Sequence, residues 1–183
     1  TFQLYMANMK SIFMDMVRNA DMVVFNRCKR EDPLASYRRG IKVANQRAEI
    51  IFEDEEGELE DIFQDEMPFD IHAPIIDIFP EDYGIWFVDA MDHPETYVDK
   101  IVRFKGRALK PRGMGSKFFV PGRTAMTCCA DDTTFLGYVC KSAYTPKIPE
   151  GSWVEVTAKV AFENRMEYHG EGIVLYAENV SLC

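Results

Sequence analysis

At 183 residues, 21.1 kDa and 47% hydrophobic content, the chain can bury a real core and is too apolar for a disordered tail. Its formal charge is −9 and its pI is near 4.9; an acidic surface repels phosphate backbones, so general nucleic-acid binding is not expected. Five cysteines cannot all pair within one chain, and their spacing matches no standard disulfide framework.

The chain contains no run of about 18 apolar residues and no charged, apolar and small-residue succession of a signal peptide. It opens at Thr1 rather than Met, which suggests trimming upstream. Phe2, Tyr5, Met6, Met9, Phe13, Met16, Val17 and Ala20 recur at three- and four-residue spacing, which predicts a helix with one apolar face. A methionine-rich stripe also suits an adaptable partner surface. A basic segment follows (Arg27, Lys29, Arg30, Arg38, Arg39, Lys42, Arg47), read as a solvated face or as a juxtamembrane stretch facing anionic lipid. The segment 43–52 carries a weak strand pattern.

Charge is concentrated next. Glu53, Asp54, Glu55, Glu56, Glu58, Glu60, Asp61, Asp65 and Glu66 form a run without a base, and the rest of the chain is balanced. Close like charges resist packing, so the run reads as a linker. Beyond it, Pro80, Glu81 and Asp82 precede Tyr83, Trp86, Phe87, Ala90 and Met91 at helical spacing, predicting a helix over 81–92 bounded by Pro94.

From Tyr97 the period becomes two. Strands are expected at 101–106, at 117–127 with a break at Pro121-Gly122, at 133–140, at 152–162 and at 173–180. Five regularly spaced strands with a long 141–151 connection between the third and fourth suggest an OB-like barrel. The expected fold class is therefore α+β: an N-terminal helical region and acidic linker over 1–67, then a helix and a five-stranded OB-like β-barrel over 68–183.

The most unusual string is Arg123-Thr124-Ala125-Met126-Thr127-Cys128-Cys129-Ala130-Asp131-Asp132. Thiolates beside carboxylates suit zinc. Adjacent residues of a regular strand point to opposite faces, so Cys128 and Cys129 converge only where the strand ends or bulges. The aspartates favour such a turn, with Asp131 the nearer oxygen donor and Asp132 capping it. Metal ligation, burial of one thiol as a small hydrophobe, and thiol redox chemistry all remain open here. Cys28, Cys140 and Cys183 could complete a zinc site or a disulfide; a cysteine nucleophile would need His72, His93 or His169 as its base, and His72 and His169 read as surface residues.

The strings Phe119-Val120-Pro121-Gly122-Arg123, Thr127-Cys128-Cys129-Ala130-Asp131-Asp132, Lys100 to Gly106, Gly151 to Val156 and Val174 to Val180 resemble a bacterial family of permease-partner proteins. The resemblance spans roughly residues 68–183. It implies N-terminal membrane helices ahead of a soluble domain, a gene beside a predicted permease, and a link to zinc homeostasis in some bacteria. No catalytic residues come with it; Cys128, Cys129 and Asp131, with Arg123 nearby, become the feature of interest. The resulting expectation is a non-enzymatic, membrane-associated transport accessory domain at the cell membrane, with the extracytoplasmic side favoured. It would bind zinc through Cys128, Cys129, Asp131 and Asp132 and dock onto a permease subunit. The alternatives are an OB-fold module for an oligonucleotide or oligosaccharide, and a thiol oxidoreductase.

Overall fold

The computed structural model describes residues 8–59, 67–126 and 133–183. They divide into two compact units: 8–59, with the segments 125–126 and 133–134, form the first, and 67–124 with 135–183 form the second.

In the first unit, α1 (Lys10–Arg18) leads into β1 (Met22–Phe25), α2 (Leu34–Ala44) and β2 (Glu49–Phe52). The two strands pair in parallel, Met22 opposite Glu49 and Phe25 opposite Phe52, which requires a crossover, and α2 supplies it. Leu34, Tyr37, Ile41 and Ala44 recur at helical spacing; Leu34 and Ile41 are buried with Val17, Phe25, Ala48, Phe52 and Leu59. Each large apolar side chain buried there contributes about 1.5–3 kcal/mol. The Phe25 and Phe52 rings stack at 4.8 Å. The Asn45 side chain donates to the carbonyls of Val17 and Ala20 at 2.8 Å, tying the end of α1 to the end of α2. The N-terminal region is thus helical, as the spacing predicts, and carries a parallel strand pair as well. The weak strand pattern at 43–52 resolves into the end of α2 followed by β2. Residues 1–7 of the expected first helix lie outside the described residues.

The acidic run is not wholly a linker. Glu53 and Glu58 form a β-bridge around a turn in which Asp54 accepts the amides of Glu56 and Gly57, with Gly57 at φ +139°. Local side-chain acceptors order the backbone despite the charge. Leu59 then enters the core of the unit, and residues 60–66 lie outside the described residues.

The second unit is built on a closed circuit of strands. β3 (Ile76–Ile78) precedes α3 (Tyr83–Asp92) and the short α4 (Pro94–Tyr97). Pro94 opens α4 rather than merely bounding α3, because the first helical turn needs no amide donor from it. The barrel strands are β4 (Ile101–Leu109), β5 (Phe118–Met126), β6 (Thr133–Gly137) and β7 (Val139–Lys141), β8 (Trp153–Arg165) and β9 (Gly170–Leu182). β4 pairs antiparallel with β8 and with β5; β8 with β9; β5 with β7; and β7 runs parallel to β9. The third strand is split at Tyr138 into β6 and β7. Counting it once, the order is 1-2-3-5-4 returning to 1, the five-stranded Greek-key circuit of an OB barrel. The fold is α+β with a closed five-stranded barrel.

Alternation sets the interior. Val102, Phe104 and Ala108 of β4 and Val154, Val156, Ala158 and Val160 of β8 point inward and are buried. α3 lays Tyr83, Trp86 and Phe87 onto this core: the Trp86 ring lies 5.1 Å from Phe104 and 5.5 Å from Tyr138. The Tyr83 hydroxyl reaches the carbonyls of Pro121 (3.4 Å) and Leu136 (3.3 Å), and Tyr138 donates to the Phe87 carbonyl. Burial pushes both phenols well above their ordinary pKa, so they stay neutral donors.

Pro121-Gly122 does not break the second strand; β5 runs unbroken through it. A Cβ on Gly122 would lie 2.2 Å from the Leu136 carbonyl oxygen, and one on Gly106 would lie 2.8 Å from the Gly122 nitrogen. The glycine marks close approach of backbones, not an end of pairing.

Candidate recognition surface

Four outward side chains line up across the barrel. Register places Phe118 (β5) opposite Lys141 (β7), Lys141 opposite Tyr176 (β9), and Tyr176 opposite Lys159 (β8). Directly opposed residues share a face, so this row crosses four strands.

Every member is held by a neighbour. The Lys141 ammonium sits 5.4 Å from the Tyr176 ring centroid, and the Arg165 guanidinium 4.4 Å from that of Phe118. Glu167 binds Arg165 through two hydrogen bonds of 3.1 and 2.8 Å. That contact lowers the Glu167 pKa and raises that of Arg165. The Tyr176 hydroxyl donates to Glu163 at 2.7 Å, and this bond to the carboxylate raises the phenol pKa. Lys159 pairs with Asp99 at 2.8 Å. Two of the cations on this face, Arg165 and Lys159, are therefore paired with carboxylates.

The turn between β8 and β9 closes one end of the surface. Tyr168 lies over Gly172, where a Cβ would come within 2.5 Å of its ring. Its hydroxyl donates to the Ile173 carbonyl at 2.7 Å and accepts the Val139 amide at 2.8 Å. Burial lifts its pKa to about 12. This clasp satisfies a backbone donor of β7 without a strand partner.

Cys128, Cys129, Asp131 and Asp132 lie outside the described residues. Among the described residues, no group of three or more His, Cys, Asp or Glu side chains is arranged to hold a metal ion. Cys28, Cys140 and Cys183 are free thiols. Cys28 donates to the Phe25 carbonyl at 3.3 Å, and Cys140 is fully buried. Desolvation raises both thiol pKa values, the opposite of an activated nucleophile. His72, His93 and His169 are exposed, as the flanking residues of His72 and His169 suggest. Arg123 donates to the Lys105 carbonyl at 3.1 Å and stacks 5.2 Å from the Trp153 ring. The row of Phe118, Lys141, Tyr176 and Lys159 is a product of register, and its linear trace is the alternation of outward side chains.

The strand circuit defines the chain's class, an α+β protein carrying an OB barrel. Residues 57–181 match the DUF1980 C-terminal domain, and the chain belongs to that family. No curated protein matches it. Among solved structures, the mitochondrial single-stranded DNA binding protein Rim1 from S. cerevisiae is similar at 15% identity and a TM-score of 0.31. The likeness covers 45% of this chain and 91% of that one. A small single-stranded DNA-binding protein from Streptomyces coelicolor is similar at 13% identity and a TM-score of 0.28, covering 46% and 94%.

Proposed function

We propose that the chain is a non-enzymatic docking domain of a membrane transport system, with the outer face of β5, β7, β9 and β8 meeting a permease subunit at the cell membrane. The observation that carries this reading is the held row of Phe118, Lys141, Tyr176 and Lys159 with Arg165 across it. Tyr, Phe and Arg are the residue types that anchor protein interfaces. Side chains already fixed by neighbours lose little further freedom on docking. The sequence resemblance to permease-partner proteins supplies the class of partner and favours the extracytoplasmic side. Neutralisation of Arg165 and Lys159 by carboxylates favours a protein over an oligonucleotide on this face, since phosphate binding draws on free cations. An oligosaccharide would use the same aromatic groups.

The expected result is that the double variant Tyr176→Ala/Arg165→Ala loses about tenfold or more of its affinity for the permease in co-purification from detergent, while Glu81→Ala, away from this face, does not. Equal retention of all three would remove the docking role from this face.

The proposal includes zinc held by the Cys128 and Cys129 thiolates, with Asp131 and Asp132 as the oxygen donors. Reduced protein should take up near-stoichiometric zinc with proton release, and Cys128→Ser/Cys129→Ser should abolish uptake while the fold persists. Unchanged uptake in that variant would exclude the turn.

A further inference from the structure

Between Lys100 and Thr124 the chain carries eight basic residues and no carboxylate, in a protein whose net charge is −9. The tract follows β4, the β4–β5 connection and β5. Some of its charge is used internally: Arg103 makes two hydrogen bonds to Asp77 at 2.5 and 2.7 Å, and Lys105 pairs loosely with Glu155 at 3.8 Å. Arg107 and Arg123 form no ion pair among the described residues. Arg107 donates to the Gly151 carbonyl at 3.1 Å, and Arg123 to that of Lys105. Arg107 is opposite Trp153 across β4 and β8, and the Arg123 guanidinium lies beside the same indole. Two arginines thus flank an exposed tryptophan, and the Lys105–Glu155 pair lies two residues along the same two strands.

We infer that Lys105, Arg107, Arg123 and Trp153 form a second interaction surface, distinct from the proposed docking row, that receives an extended, carboxylate-rich peptide segment of a partner protein. Charge complementarity selects an anion, and guanidiniums bind carboxylates through paired hydrogen bonds. Geometry selects a peptide. Lys105 and Arg107 project from alternate positions of one strand, about 7 Å apart, which is the spacing of alternate side chains on an extended chain. Single-stranded nucleic acid is disfavoured because it needs successive aromatic platforms, and this cluster holds one indole with a guanidinium against it.

The chain carries its own reporter. Of its two tryptophans, Trp86 is fully buried and Trp153 is 43% exposed. Titration of the whole chain with a glutamate hexapeptide at low salt should change Trp153 fluorescence saturably, with a weaker response to an oligothymidylate of equal charge. Arg107→Ala and Arg123→Ala should each weaken peptide binding about tenfold, Arg123→Lys should retain part of it, and Trp153→Phe should remove the signal. Tyr176→Ala should leave it unchanged, separating this surface from the docking row. No saturable change, indifference to both arginine substitutions, or preference for the oligonucleotide would each overturn the inference.

Discussion

Gly122→Ala will destabilise the barrel by about 3 kcal/mol or more, read as a lowered urea midpoint at unchanged slope. The added methyl would meet the Leu136 carbonyl oxygen at 2.2 Å and the Phe135 ring at 2.6 Å. Flexible side chains yield cheaply, but a carbonyl in a paired strand does not. Relief requires β5 and β6 to separate where Gly106 also approaches Gly122 backbone to backbone. The Tyr83 hydroxyl, which reaches Pro121 and Leu136 at this point, would lose its acceptors as the strands part. Gly40→Ala is the contrasting case. Gly40 lies within α2 with nothing within 4 Å of a built Cβ, so alanine there should gain about 0.5–1 kcal/mol. A domain stable by about 5–15 kcal/mol will register both changes. Equal, small effects at the two positions would show that β5 has room to move.

Trp86→Ala is the second large effect, at about 3–5 kcal/mol. The indole is wholly buried and packs on Tyr83, Phe104 and Tyr138 at centroid distances of 5.1–5.5 Å. Removing it leaves a void between α3 and the barrel strands. The substitution Trp86→Phe should cost markedly less than alanine. Among the described residues the buried Trp86 indole N–H has no acceptor, so phenylalanine keeps much of the ring contact and deletes an unsatisfied donor. Thermal or urea unfolding of the two variants checks this ordering. A phenylalanine as damaging as alanine would mean the indole's full size, rather than aromatic contact, holds the helix on the barrel.

The barrel was legible because its strands keep period two over long stretches: Trp153 to Phe162 alternates cleanly, and α3 keeps its apolar residues at helical spacing. Local signals misled where tertiary contact decides. Pro121-Gly122 carries the letters of a turn, yet it serves a crossing of backbones. Arg38, Arg39 and Lys42 give α2 a charged signature, while Leu34, Tyr37, Ile41 and Ala44 on the same helix form an apolar stripe. Glu53 to Glu58 looked too charged to fold, but Asp54 orders that turn through backbone amides. Met22–Phe25 and Ile76–Ile78 are too short for any period to show. The row across the barrel leaves only the alternation of outward side chains as its trace in the linear sequence. Phe118, Lys141, Lys159 and Tyr176 become neighbours only through the register of four strands.

The two surfaces differ in charge. Around Tyr176, Arg165 is paired with Glu167 and Lys159 with Asp99, while Lys141 rests against the Tyr176 ring; around Trp153, Arg107 and Arg123 are bonded to carbonyls and form no ion pair among the described residues. The first suits a fixed protein contact whose affinity responds little to salt. The second suits an anionic segment whose binding falls as salt rises.

The most direct test of docking through the barrel face is photo-crosslinking in cells that also make the permease. A photoreactive side chain replaces Ala161, which points outward from β8 between Lys159 and Glu163, and in a separate chain replaces the exposed Glu81. The account predicts a covalent adduct with the permease from position 161 and none from position 81. An adduct from position 81 alone, or none from either while the two proteins co-purify, would contradict it.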